Sequence, residues 1–261
     1  MKRVETASES SNRSFDELIA EALEADFSGW DFSWLDGRWI DGPLPWNFRE
    51  RIERYLPDVN SLYDMGTGGG EFLASLAPLP PDTWASENWS RNLPIARARL
   101  EPLGVTMVSF DSIDQLPFPD DAFDLVINRH EGYAPAEVLR ILKPGGRFIT
   151  QQVGGRNEFR LNELLQEDPY FKYEDWVLAN AVADLEEGSF QVTKKQEAFP
   201  EARVTDIGAV VYYLRAIPWQ IEDFSVERYR ERLLAVHNMI QEEGYLSVHS
   251  HRFYVEAVKP V

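Results

Sequence analysis

The chain has 261 residues, enough for one elaborated domain with a full core. Lys and Arg number 26 against 44 Asp and Glu, a formal charge of −18, which argues against a broad nucleic-acid surface, though not against a small basic patch, because phosphate neutralisation needs clustered cations. With no cysteine, no membrane-length apolar run and no apolar signal region, the composition argues against disulfides, thiolate metal sites and membrane insertion. It predicts a soluble, cytoplasmic protein without a metal.

Residues 1–13 are polar and Ser-rich and are expected to fray. Ser14 and Glu17 make a capping-box pattern that predicts a helix with Phe15, Leu18, Ile19, Ala22 and Leu23 on its apolar face. Aromatics then crowd together: Phe27, Trp30, Phe32, Trp34, Trp39, Trp46 and Phe48. Two readings stay open, a flank packed on the domain or a cap over a ligand, since pockets favour aromatic walls. Residues 1–44 are therefore read as an N-terminal extension, and 45–261 as the main domain. Residues 45–56 are predicted to be helical and to lead into the first strand.

Residues 61–73, SLYDMGTGGGEFL, are the most informative stretch. Apolar Leu62 and Tyr63 suit the end of a buried strand. Asp64 follows, then Gly66, Gly68, Gly69 and Gly70, then Phe72, Leu73, Leu76 and Ala77 at helical spacing. A strand passing through a glycine-rich turn into a helix brings backbone N–H groups close to a ligand. Asp64 at the strand exit suits a ligand carrying an ammonium or a hydroxyl, and suits a pyrophosphate badly. A dinucleotide fingerprint fails in either register, because Glu71 or Leu73 stands where its third glycine belongs.

A second strand over 83–87 ends in Glu87, an acid placed to accept ribose hydroxyls, with Asn88 beside it. Trp89 either stacks on a base or covers the next helix, whose buried stripe is Leu93, Ala96 and Leu100. A third strand, 105–110, delivers Asp111 and Ser112, with Ile113 as apolar cover. A fourth, 123–127, releases Asn128, Arg129, His130 and Glu131 together, at the sheet end where ligands of such folds sit. A helix over 135–142 ends at Lys143-Pro144-Gly145-Gly146, and a fifth strand, 147–152, exits at Gln151 and Gln152 on the substrate side. Helices over 162–165 and 173–185, a sixth strand over 190–199, a helix capped by Asp206, a long helix over 225–243 and a final strand over 253–258 complete the chain.

The pattern D-x-G-x-G-x-G from Asp64, the segment LPFPDDAFD (116–124) and LKPGGRFITQQ (142–152) resemble the class I S-adenosylmethionine-dependent methyltransferases. The resemblance is close over about 60–150 and looser over 45–259. It implies an α/β, Rossmann-like, doubly wound seven-stranded sheet, mostly parallel with an antiparallel last strand and helices on both faces. It implies S-adenosyl-L-methionine as cofactor, with Asp64, Gly66, Gly68 and Gly70 at its methionine part, Glu87 and Asn88 at the ribose, Asp111 and Ser112 at the adenine, and Asn128 beside them. His130, backed by Glu131, is the candidate base or orienting group for the acceptor.

Family members that methylate nucleic-acid amines carry an N/D-P-P-Y/F motif after the fourth strand, where this chain reads NRHE. A small-molecule acceptor is therefore expected. A cofactor-binding sensor or scaffold without catalysis, and a methyltransferase of protein or RNA, stand as alternatives. An NAD-dependent oxidoreductase is a further rival, which the glycine spacing opposes. The sequence carries no signal of oligomeric state.

Overall fold

The computed structural model describes residues 13–27 and 30–261, so the fraying expected of residues 1–12 lies outside the described residues. Helix α1 (Phe15–Glu24) begins as its capping box dictates, with Ser14 accepting from the Glu17 amide and Glu17 returning to the Ser14 amide. Phe15, Leu18, Ile19 and Ala22 are buried, but Leu23 is not: it stays 46% exposed at the edge of the apolar stripe.

The main sheet is built from β2 (Ser61–Met65), β3 (Asp82–Ser86), β4 (Thr106–Val108), β5 (Phe123–Arg129), β6 (Leu142–Val153), β7 (Gln191–Ala198) and β10 (Arg252–Val258). Its order is β4-β3-β2-β5-β6-β10-β7, with β10 antiparallel to both neighbours and the β4-to-β6 side parallel. The chain thus starts in the middle of the sheet, winds outward one way and then the other. This order leaves a crevice at the carboxyl ends of β2 and β5. Strand β2 is buried along its whole length, as a central strand covered on both faces must be. One apolar core on its flank joins Leu62, Leu73, Leu100, Ile127 and Tyr254, and another joins Tyr63, Phe118, Phe123, Val126 and Phe253.

Connecting helices include α2 (Phe48–Glu53), α3 (Glu71–Ser75), α4 (Leu93–Leu100) and α5 (Pro135–Ile141). Several predicted elements are shorter than expected, among them the helix over 45–56, which is confined to Phe48–Glu53 after its Asn47 cap. The strand over 105–110 ends at Val108, because the Phe110 amide donates to the Asn88 side chain (2.9 Å) rather than to a ladder partner. The helix expected from 173 begins only at Leu178, as α7 (Leu178–Glu187). The Trp176 carbonyl accepts from Gly155 (2.7 Å) and Val177 is extended.

A second sheet is not foreseen by the sequence. Strands β1 (Trp39–Asp41), β8 (Glu201–Val204) and β9 (Leu246–His249) form an antiparallel three-stranded sheet in the order β1-β8-β9. Helices α6 (Phe159–Leu165), α8 (Ile207–Ala216) and α9 (Val226–Glu243) share a third core with α1 and this sheet. The N-terminal extension therefore supplies a strand and a helix to a body whose other parts come from residues beyond 159.

Candidate functional site

The glycine turn follows β2 directly. Gly66 and Gly68 hold φ of +67° and +63°, a left-handed region that a side chain would strain, and Gly68 has nothing within 4 Å of where a Cβ would stand. Ser86, at the end of β3, braces the turn. Its hydroxyl accepts from Gly66 N (3.2 Å) and Tyr63 Oη (2.8 Å), and its carbonyl accepts from Thr67 N (2.8 Å). The sequence reading did not single out Ser86, whose only signal was its place one residue before Glu87.

Asp64 is buried on β2, and burial pushes its carboxyl up to about 7 against the pull of the Arg129 guanidinium. Beside it on β5, Asn128 is fully buried. Its Oδ1 accepts from Thr150 Oγ1 (3.0 Å) and Gln152 Nε2 (2.7 Å), while its Nδ2 finds no partner. Glu87 is also buried and accepts from Trp89 N (2.7 Å) and more weakly from Asn92 (3.5 Å). Asn88 ties the 109–110 loop to β3 through its Oδ1.

A narrow cleft between these strand ends is lined by Met65, Gly66, Ser86, Asn88, Phe110, Ile113 and Glu131. It brings together three of the residues read from the sequence as site residues, Gly66, Asn88 and Glu131. Asp111 and Ser112 lie exposed and do not line it. Glu131 lies over Gly66, and partial enclosure together with nearby Glu87 pushes its carboxyl above the ordinary value.

His130 and Glu131 point to different partners. His130 holds a left-handed φ of +65°, fixed by its amide donating to Gln151 O (2.8 Å). Its Nε2 lies 3.0 Å from Gln151 Nε2, and Gln151 Oε1 accepts from Trp46 Nε1 (2.8 Å). An indole N–H can only donate, so Gln151 must present its oxygen to Trp46 and its NH2 to the imidazole. His130 is thereby fixed as the neutral tautomer with its proton on Nδ1. His130 keeps an exposed edge, but desolvation by the surrounding chain and the guanidiniums of Arg252 and Arg129 act in the same direction, holding its pKa well below the usual value.

Gln151 and Arg129 also belong to an open cleft of about 600 Å³, walled in addition by Trp46, Phe48 and Phe72. The residues from 44 to 49 form its outer wall, so part of the aromatic N-terminal run faces a ligand-sized space. The remainder packs elsewhere: Trp30 meets Trp89 (ring centroids 5.5 Å apart) and Trp219 (5.9 Å), and Trp34 and Trp39 stack on Tyr212 and Tyr213.

Among the described residues no group of His, Asp and Glu could hold a metal ion, and no helix is long and apolar enough to cross a membrane. The donor set suits a cationic, hydroxyl-rich organic cofactor instead. Buried carboxylates stand at the strand exits, the loop is open at Gly68, and the Asn128 amide nitrogen is buried without a partner.

Residues 63–150 match the family model described as a methyltransferase domain. The chain is 30% identical over 95 residues to the uncharacterized methyltransferase YcgJ of Bacillus subtilis, a stretch covering 33% of this chain and 38% of that protein. It is 32% identical over 98 residues to the ubiquinone/menaquinone biosynthesis C-methyltransferase UbiE of Cupriavidus metallidurans, covering 33% of this chain and 40% of the relative. The matched stretch thus spans well under half the length of either protein.

The structural likeness extends further than the sequence likeness. The solved structure of YcgJ superposes with a TM-score of 0.59 at 15% identity, over 82% of this chain and 98% of that one. The [4+2]-cyclase SpnF superposes with a TM-score of 0.53 at 17% identity, over 94% and 93%. Residues 63–150, across the glycine turn and from β2 to β6, thus carry a methyltransferase domain, and the sheet around it is wound as in these structures.

Proposed function

We propose that the protein binds S-adenosyl-L-methionine over the glycine turn and transfers its methyl group to a small-molecule acceptor by in-line displacement. One observation carries this reading. Buried Asp64, Glu87 and Asn128 stand at the carboxyl ends of three neighbouring parallel strands, around a turn held open by Gly66 and Gly68.

When bound, the cofactor supplies an activated sulfonium methyl. The chain's residues then have separable tasks. The Asp64 carboxyl, whose ionised form an ammonium would favour, and the free Asn128 amide suit the polar ends of the methionine part. Glu87 suits the ribose hydroxyls, and Asp111 and Ser112 at the rim suit the adenine edge. Glu131, which hangs over the turn, adds negative charge facing a cation. Aiming the acceptor is the main catalytic task left to the protein, because displacement requires the nucleophile in line with the methyl carbon. His130, between Arg129 of the larger cleft and Glu131 of the narrow one and in contact with Gln151, serves as the base or the orienting group. Its Nε2 lone pair is engaged by Gln151, which favours orientation through the Nδ1 proton.

A small acceptor is supported by the roughly 600 Å³ of the aromatic-walled cleft, a size typical of small-ligand sites, and by the acidic surface. The UbiE relatives are named for carbon methylation in quinone biosynthesis, and a carbon acceptor is compatible with a site that holds its histidine neutral. Calorimetric titration with S-adenosylmethionine and S-adenosylhomocysteine, alongside Asp64→Ala and Glu87→Ala, tests the reading. Binding in the wild type and its loss in both variants is expected. No binding in the wild type overturns the cofactor assignment. Binding without methyl loss to any acceptor pool would favour a sensor or scaffold.

A further inference from the structure

The 600 Å³ cleft and the narrow cleft over the glycine turn share no lining residue, but each takes one at or just beyond the end of β5, Arg129 in the first and Glu131 in the second. Arg129 belongs to the larger one. Its guanidinium lies over the Phe72 ring at 4.9 Å, which leaves the edge of its planar fork available. Among the described residues Arg129 forms no ion pair. Asp64 and Glu71 act on it only through space, and Glu71 is paired with Arg99 instead.

The second cation of the cleft is not available in the same way. Arg49 is spent on the Ser75 carbonyl (2.6 Å), the Ser75 hydroxyl and Glu53 (3.4 Å). The cleft therefore offers one uncommitted guanidinium among Trp46, Phe48 and Phe72, with the Trp46–Gln151–His130 chain on its inner wall.

We propose that this cleft is the acceptor site and that Arg129 selects acceptors carrying a single carboxylate on an aromatic or apolar body. The proposal rests on the methyltransferase reading and adds the class of substrate to it. A planar guanidinium with a free edge matches a carboxylate through two parallel hydrogen bonds, and the three aromatic rings match the body that carries it. A dianion such as a phosphate monoester fits less well, because only one free cation faces the cleft, and Asp64 and Glu71 already act on that cation through space. The acidity of the whole chain acts in the same direction.

The test is a calorimetric comparison of matched pairs on the full chain: phenylacetate, indole-3-acetate and 1-naphthylacetate, each against its neutral primary amide, with S-adenosylhomocysteine titrated separately. At least one acid is expected to bind roughly tenfold or more tightly than its amide, and Arg129→Gln is expected to erase that preference. In that variant the affinity for S-adenosylhomocysteine should stay within about threefold of the wild type. Equal affinities for acid and amide in the wild type, or no acid binding at millimolar concentration, overturn the proposal without any variant. A fall in S-adenosylhomocysteine affinity to match the loss of acid binding in Arg129→Gln also overturns it, since the arginine would then serve the cofactor's own carboxylate. Acid preference with no S-adenosylhomocysteine binding would leave the anion site standing and sink the methyltransferase reading alone.

Discussion

Glu131 folds back over Gly66, so that a Cβ on the glycine would stand 2.5 Å from Glu131 Cγ and 2.7 Å from Oε2. Two separate constraints therefore meet at one position, the left-handed φ of Gly66 and the side chain lying on it. Gly66→Ala is expected to destabilise the chain by about 1–3 kcal/mol, part of it from φ and part from the contact. The contact part involves Glu131 Cβ (2.7 Å) as well as Cγ and Oε2, so Glu131→Ala, which keeps the Cβ, should relieve part of it. In urea denaturation Gly66→Ala should cost less in a Glu131→Ala background than in the wild type. Equal costs in both backgrounds would show that the two residues do not interact.

Asp64 makes a prediction about pH. Its carboxyl is pushed up to about 7 by burial from an ordinary 3.8, with Arg129 lowering it and Glu87 raising it. Between these values the folded chain holds a proton that the unfolded chain has released. This group's contribution to stability therefore falls as pH rises from about 4 to about 7 and levels off above. Glu158, buried and likewise pushed up to about 7, contributes a slope of the same sign. Asp64→Asn should remove its own share, on the order of 1 kcal/mol between pH 6 and 8. Urea denaturation of both proteins at those two pH values measures it. An unchanged slope in the variant would mean that Asp64 is ionised throughout.

Local signals explain what could be read in advance. The caps at Ser14, Asp206 and Ser225 sit within three residues of the amides they satisfy, and each starts its helix where expected. The glycine turn and the apolar runs of β2 and β5 are equally local. The small sheet was not legible, because β1, β8 and β9 are only three or four residues long and have no alternation to display. Their pairing joins Trp39 to Val204 and Ala202 to Val248 across the fold. The same limit hid the chain from Trp46 through Gln151 to His130. Gln151 could be placed on the substrate side by its strand, but its partner Trp46 lies 105 positions away. Arg129 was visible only as one of a quartet. Its importance depends on which cations have partners, and that is decided by packing.

The hydrogen-bond chain through Gln151 has a spectroscopic consequence. With four histidines in the chain, the His130 ring C–H resonance can be assigned from His130→Ala. In the wild type it should not move between pH 6 and 8, because desolvation and the Arg252 and Arg129 charges keep the imidazole neutral there. Gln151→Glu keeps an acceptor for the Trp46 N–H but puts a carboxylate against the imidazole, which favours the protonated ring. The variant should titrate at a higher pH than the wild type. Methyl transfer, if the Nδ1 proton orients the acceptor, should then lose its flat profile across the same range. A resonance that already titrates near neutrality in the wild type would refute the neutral tautomer.

Arg38 and Asp206 tie the N-terminal extension to the rest of the molecule. The guanidinium makes two bonds to the carboxylate (2.7 and 2.6 Å), packs on Trp34 at 3.7 Å, and follows the extension into β1. Asp206 is 1% exposed and uses the same Oδ1 to cap α8 through Ala209 N (3.0 Å). Removing the two partners should not be equivalent. Arg38→Met strands a buried carboxylate and should cost about 3 kcal/mol. Asp206→Asn keeps the cap, and Arg38 can still reach the half-exposed Glu21, 3.8 Å away, so its cost should be nearer 1 kcal/mol. Urea denaturation of the two variants distinguishes this order from its reverse. If both are near neutral, the extension is a loosely attached cap. If Arg38→Met lowers the single global midpoint, the extension folds with the core, because β1 and α1 are held by residues on which α8 itself depends.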